Sequence, residues 1–190
     1  NGNTPSEKVI NNTIKGLEVI NERGAGLISF VENYRKLTRI PPPEKRPVDL
    51  ELLFDNTITL FNAQAPDKNI VISRETDPPH LQAIADKKQL SQVLINLVKN
   101  SAEAMKNTAG GTIHLRARYN EAGRVLVTVT DNGPGIPDEL MDKIFIPFFT
   151  SRETGTGIGL SLSRQIMLMH GGSLKMESVP GKETTAILEF

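Results

Sequence analysis

The sequence predicts an α/β fold, a two-layer α/β sandwich with a mixed sheet and helices on one face, preceded by a long amphipathic helix. Three observations carry this. Over residues 5–39 apolar residues recur at helical spacing; from Val48 onward helical stretches alternate with short β-branched runs; and turns rich in Gly, Pro and Asn separate those runs.

In the first segment Ile10, Ile14, Leu17, Ile20, Leu27, Val31 and Tyr34 share one stripe with Gly24. The other face is too polar for a buried core helix, so this helix needs a helical partner. Pro41-Pro42-Pro43 stops it, because proline lacks the amide donor and restricts the residue before it. A linker ends near Arg46, which divides the chain into residues 1–46 and 47–190. A second helical stretch follows Val48-Asp49-Leu50 to about Ala63, and strands are expected at 69–73 and 82–85. Residues 87–106 read as a helix with Leu90, Val93, Leu94, Leu97 and Val98 on one side. The runs 112–119 and 124–130 alternate as an antiparallel pair about a turn near 120–123. A helix is expected over 159–170, and two last strands, 173–178 and 184–190, flank the turn at Pro180-Gly181.

Composition narrows the function classes. At 190 residues, 38% hydrophobic, the chain suits one domain with a core plus an accessory element. Lys plus Arg equals Asp plus Glu at 22 each, so nothing draws the molecule to nucleic acid. The absence of cysteine excludes disulfides and thiolate metal sites and fits a reducing compartment. No apolar run approaches a membrane span. The chain opens on Asn1-Gly-Asn-Thr-Pro5, with neither a methionine nor a charged-then-apolar leader, as a piece of a longer protein would; any membrane attachment is expected only through segments upstream.

Four boxes concentrate the chemistry: Asn96-Leu-Val-Lys-Asn100, Asp131-Asn-Gly-Pro-Gly-Ile-Pro137, Phe145-Ile-Pro-Phe-Phe149 and Gly155-Thr-Gly-Ile-Gly-Leu160. Asn96 and Asn100, four apart on a helix, put two neutral amides on one face. An amide oxygen is a hard ligand suited to Mg²⁺, although such a pair alone reads equally as capping or solvating residues. Asp131 enters a turn containing Gly133, Pro134 and Gly135, where a carboxylate can accept from an exocyclic amine; Asp-Asn-Gly alone would mean only a turn. Gly155, Gly157 and Gly159 precede a helical pattern, so backbone amides and a helix N-terminus can face phosphates without a lysine. The glycines fit neither a dinucleotide-binding fingerprint nor a Walker A loop: Leu160 stands where the former requires its last glycine, and Gly181-Lys182 is followed by Glu183. Thr150, Ser151 and Arg152 belong to a short polar stretch suited to a lid. Arg152 is the best cationic candidate for terminal phosphates, with Lys99 and Lys106 weaker; a solvated loop arginine fits the composition equally well. Phe145, Phe148 and Phe149 also suit a core.

Taken in order, the boxes resemble the ATP-binding catalytic domain of sensor histidine kinases of the nitrogen-regulation type. That domain belongs to the wider GHKL class, with the Bergerat fold, which includes gyrase, the Hsp90 chaperones and the mismatch-repair protein MutL. The likeness spans roughly residues 48–190. It implies ATP and Mg²⁺ as cofactors, with Asn100 as magnesium ligand and Asp131 reading the adenine amino group. It places Asn96, Lys99, Gly133, Gly135, Ile136, Phe148, Thr150, Ser151, Gly155, Thr156, Gly157, Gly159 and Leu160 around the nucleotide, with Asn96 and Arg152 nearest the chemistry. It further implies the receiver domain of a response regulator as partner, a homodimer in the full-length protein, and a cytoplasmic location, with any inner-membrane anchor upstream.

Gyrase-like and chaperone-like members carry a glutamate one turn before the magnesium asparagine, where it activates water. Here that position is Asn96, and an amide cannot take a proton from water at neutral pH, so transfer to a protein acceptor is favoured over hydrolysis. Glu103, nearly two turns beyond Asn96, is a poor substitute. None of His80, His114 and His170 sits in the family's acceptor motif, while the segment ending in Arg39-Ile-Pro-Pro-Pro resembles the second helix of the dimerisation hairpin; the acceptor helix is therefore expected outside these residues. Two other readings share the boxes. A serine kinase of the anti-sigma-factor type is opposed by the long first helix, and a degenerate nucleotide-binding module by the intact motifs.

Overall fold

The computed structural model describes residues 7–64, 70–106, 108–150 and 155–190. The chain divides after Arg39 into two units. The first holds α1 (Glu7–Thr38), along which Ile10, Ile14, Leu17, Ile20, Leu27 and Val31 are exposed. The rings of Phe30 and Tyr34 stack at 6.5 Å, as aromatic side chains one helical turn apart do. Among the described residues no helix is long and apolar enough to cross a membrane.

The second unit carries two sheets. The smaller pairs β1 (Arg46–Asp49) antiparallel with β3 (Gln82–Ala85). The larger has the order β2-β4-β5-β7-β6, built from β2 (Ile70–Asp77), β4 (Gly111–Tyr119), β5 (Val125–Asp131), β7 (Glu183–Glu189) and β6 (Ser173–Val179). Only β2 and β4 run parallel, which makes the sheet mixed, as expected. The helices α2 (Leu50–Gln64), α3 (Lys87–Ala104) and α5 (Gly159–Met169) supply the other layer, with a short α4 (Asp138–Met141) between.

Three elements differ from the sequence expectation. β1 lies where linker and helix start were expected, because its pairing partner is a strand more than thirty residues later and four residues containing Pro47 show no alternation of their own. β2 runs on to Asp77, past its β-branched start, because the parallel register with β4 extends through Arg74, Thr76 and Asp77. α4 is a single turn with no buried residue, too short for a periodic signal.

Alternation along the strands decides the core. Ile113, Leu115 and Ala117 on β4, Val127 and Val129 on β5, and Ala186 and Leu188 on β7 are buried on one face. Against them pack Leu90, Val93, Leu94, Leu97 and Val98 of α3, Leu50, Leu53 and Phe54 of α2, and Ile166 and Met167 of α5. Arg74 of β2 ties to α2 through Glu51 and Asp55.

Asp86 starts α3. Its Oδ1 accepts from the amides of Lys88 and Gln89, and its Oδ2 from that of Glu44 at 3.0 Å. Its own amide donates to Nε2 of the buried His170 at 2.9 Å, which leaves the His170 Nδ1–H to donate to the Ile166 carbonyl and assigns a neutral tautomer. Lys45 donates to the His170 carbonyl and Gln89 to that of Pro41, so residues 41–45 are bound to the start of α3 and the end of α5. Burial pushes the Asp86 carboxyl up, but the amides of Gln89, Glu44 and Lys88 outweigh it and hold the group below its usual range. A carboxylate lowered on folding stabilises above its unfolded pKa and loses that contribution as pH falls through its folded one. Asp86→Ala is therefore expected to cost about 1–2 kcal/mol in denaturant unfolding at neutral pH, the difference from wild type shrinking on acidification below about pH 4.

Candidate functional site

A cavity of about 560 Å³ opens between α3, the exposed end of the sheet, α4 and the start of α5. Its floor holds one buried carboxylate. Asp131 is the last residue of β5, paired on one side with Ile113 and on the other with Thr184, and only 4% exposed. Ser101 of α3 donates to its Oδ2 at 2.6 Å, and the Gly133 amide to its Oδ1 at 3.0 Å. A Cβ at Gly133 would lie 2.8 Å from that oxygen, so a side chain there would displace the acid. Burial pushes the Asp131 carboxyl above its usual range, and the hydrogen bonds from Ser101, Gly133 and the Thr184 backbone offset this only in part.

The turn after Asp131 is fixed from outside. Asn132 accepts from Thr112 N and donates to Gly110 O, which extends the β4–β5 pairing by one residue. Gly135, at φ 72°, lies so close to the Val179 carbonyl that a Cβ would approach it to 2.5 Å. The Gly181 amide donates to Pro134 O and the Ile136 amide to Ser178 Oγ, so the glycine-rich turn rests on the β6–β7 turn.

The other wall joins α3 to α5. Asn96, Lys99 and Asn100 line the cavity from α3; Gly155, Thr156, Gly157, Gly159 and Leu160 line it where α5 begins. Asn96 Nδ2 donates to Ser163 Oγ at 2.9 Å, and a Cβ on Gly159 would meet Asn96 Oδ1 at 2.2 Å. The Asn96 amide thus clamps the two helices together. The N-cap residue of α5, Ile158, has no side chain able to cap, and the helix begins at the cavity wall with its N-terminal end, the end that suits an anion. Gly157 accepts from the Phe148 amide at 2.9 Å, and both residues take positive φ, 66° in each case.

Most sequence-derived candidates converge here: Asn96, Lys99, Asn100, Asp131, Gly135, Ile136, Thr150 and the glycine box through Leu160 line the cavity. Gly133 supports Asp131 from behind instead. Phe148 does not line the cavity, and its neighbour Phe149 does. Ser151 and Arg152 lie outside the described residues. The sequence reading missed Ser101, Leu140, Ile144, Thr184 and Ala186. Ser101 directly follows Asn100, and Thr184 and Ala186 face Asp131 and Val129 in the β5–β7 register.

None of the three histidines lines the cavity. His80 pairs with Asp49 and Glu51, His114 bonds Ser73 at 2.9 Å on β4, and His170 uses both ring nitrogens.

Comparison with known proteins agrees with this geometry. The profile of the "Histidine kinase-, DNA gyrase B-, and HSP90-like ATPase" family matches residues 85–190. The sensory histidine kinase/phosphatase NtrB of Vibrio alginolyticus is 34% identical over 155 residues, 77% of this chain and 44% of that protein. The catalytic domain of the histidine kinase ThkA, in a nucleotide-free form, superposes with a TM-score of 0.68 at 36% identity, covering 77% of this chain and 95% of that one. ThkA in complex with the response regulator protein TrrA gives 0.71 at 30% identity, covering all of this chain and 52% of that one. The chain spans less than half the length of the curated relatives it matches.

A desolvated charge that the fold does not need should weaken it. Asp131→Asn keeps the shape, with Oδ1 still accepting from the Gly133 amide and Nδ2 donating to a Ser101 hydroxyl turned to accept, so the ligand-free variant is expected to melt at a higher temperature than wild type near pH 7. The sign follows from an acid raised on folding: the penalty exists while Asp131 is ionised and disappears once both states are protonated, so the two melting curves should converge on acidification.

Proposed function

Because the chain belongs to the histidine kinase-, DNA gyrase B- and HSP90-like ATPases, we propose that it is the ATP-binding catalytic region of a two-component sensor histidine kinase. It transfers the γ-phosphoryl group to a histidine outside these 190 residues, for relay to the receiver domain of a response regulator. One observation carries this reading. A buried carboxylate, an asparagine and the N-terminus of α5 face one cavity, and one turn before that asparagine stands Asn96, not a glutamate.

Each part has a distinct task. Asp131 accepts a hydrogen bond from the adenine amino group, which guanine lacks at that position. Gly155, Gly157 and the first amides of α5 face the phosphates. Asn100 would be the side chain to hold Mg²⁺, through its amide oxygen, and the ion would supply charge neutralisation at the phosphates. ATP supplies the phosphoryl group, so the protein has chiefly to position and to stabilise charge. Asn96, clamped to Ser163, offers no base for water, which favours a docked acceptor over hydrolysis. Arg152 is the cation proposed for the terminal phosphates. Residues 1–46 are read as the second helix of a dimerisation hairpin and its linker, an assignment supported by the exposed apolar stripe of α1. The response regulator as partner is supported by the likeness to ThkA in its complex with TrrA. These encounters belong in the cytoplasm.

Titration calorimetry tests the binding reading. Asp131→Asn is expected to lose about 1.5–3 kcal/mol of ATP affinity, the worth of a charged hydrogen bond. Asn100→Ala should weaken magnesium-dependent binding or transfer more than Asn96→Ala weakens binding; normal transfer by Asn100→Ala to a supplied acceptor would remove it as the metal ligand.

A kinase assay tests the reaction type. Incubated with labelled ATP, the 190-residue chain is expected to hydrolyse slowly and to carry no phosphohistidine at His80, His114 or His170 by mass spectrometry. Supplying an acceptor helix should restore acid-labile label.

A further inference from the structure

Three elements hold the Asp131 carboxylate: the turn through the Gly133 amide, β7 through the Thr184 backbone, and α3 through the Ser101 hydroxyl. Of these, only Ser101 acts through a side chain. It is buried, it lies next to Asn100 on the cavity wall, and its 2.6 Å contact has the length of a charge-assisted O–H···O⁻ bond. A serine hydroxyl has one proton and two lone pairs. With the proton directed at Asp131 Oδ2, Ser101 can offer the cavity only acceptor positions, and an ionised Asp131 likewise only accepts. The two residues together therefore present an edge that matches a hydrogen-bond donor and opposes a carbonyl oxygen.

We propose that Ser101 is a positioning and specificity-determining residue of the adenine subsite, fixing the Asp131 carboxylate and making the edge that meets the purine 6-position acceptor-only. This rests on the reading of the cavity as an adenine-nucleotide site. The same bond stabilises the ionised acid, so Ser101 extends to lower pH the range over which Asp131 can accept from an amine. The other charged groups lining the cavity among the described residues are Lys99 and Glu103, both on α3; β5, β7, the glycine-rich turn and α4 contribute Val129, Thr184, Ala186, Gly135 and Leu140, none of them charged.

The test is calorimetric titration of wild type, Ser101→Ala and Ser101→Thr with ATP and with purine riboside 5′-triphosphate, which lacks the 6-amino group. Ser101→Ala should bind ATP about ten-fold more weakly while binding the amine-free analogue as wild type does. On acidification its ATP affinity should begin to fall at a higher pH than that of wild type. Ser101→Thr keeps the hydroxyl and should restore both behaviours. Equal losses for the two nucleotides, or no loss for ATP, would overturn the proposal even with wild-type binding intact. A wild-type chain that binds neither nucleotide would instead overturn the adenine-site reading on which it rests, and melting curves without ligand show whether Ser101→Ala has unfolded.

Discussion

Helix α3 has to meet the sheet along one side and α5 along another, and the cavity exists only while both contacts hold. Its apolar stripe, from Leu90 to Val98, is fully packed, but an apolar stripe alone tolerates small rotations. Polar ties remove that freedom: Asp86 and His170 at its start, Asn96 and Ser163 in its middle, Ser101 and Asp131 near its end. Each involves a partly or fully buried group, and leaving such a group unmatched costs about 1–3 kcal/mol. A turn of α3 about its axis would break all three at once.

The clamp at Asn96 links reaction type to architecture. A carboxylate at that position would stand beside Gly159 and Ser163, with the proton-accepting capacity that activates water. The amide instead donates to Ser163 and lies against Gly159, so the residue that would govern hydrolysis serves to seat α5. The side chain that fixes the helix N-terminus is thus the same one that, on the proposed function, leaves water without a base.

What could be read from the sequence was set by local periodicity and by box chemistry. Among the described residues four of the five helices, all but α4, six of the seven strands, all but β1, and Asn96, Asn100, Asp131 and the glycines announce themselves within a few residues of chain. Ser101, Thr184 and Ala186 do not, because their place at the cavity depends on the rotation of α3 and the β5–β7 register, both fixed by contacts distant in sequence. β1 was hidden for the same reason, its partner β3 lying beyond α2 and β2. The exchange of Phe148 for Phe149 has a different origin. Adjacent aromatic residues look alike in a sequence, and which of the two rings lines the cavity is settled only by the folded backbone.

The bond from the Phe148 amide to the Gly157 carbonyl closes the polypeptide into a ring at the foot of residues 149–156. That closure fixes the two ends of the stretch against each other, and it requires glycine at 157, since a Cβ there would fall 2.5 Å from the Phe148 carbonyl carbon. Holding the ends of a longer loop together in this way would cost little more, about 0.6 kcal/mol per doubling of length.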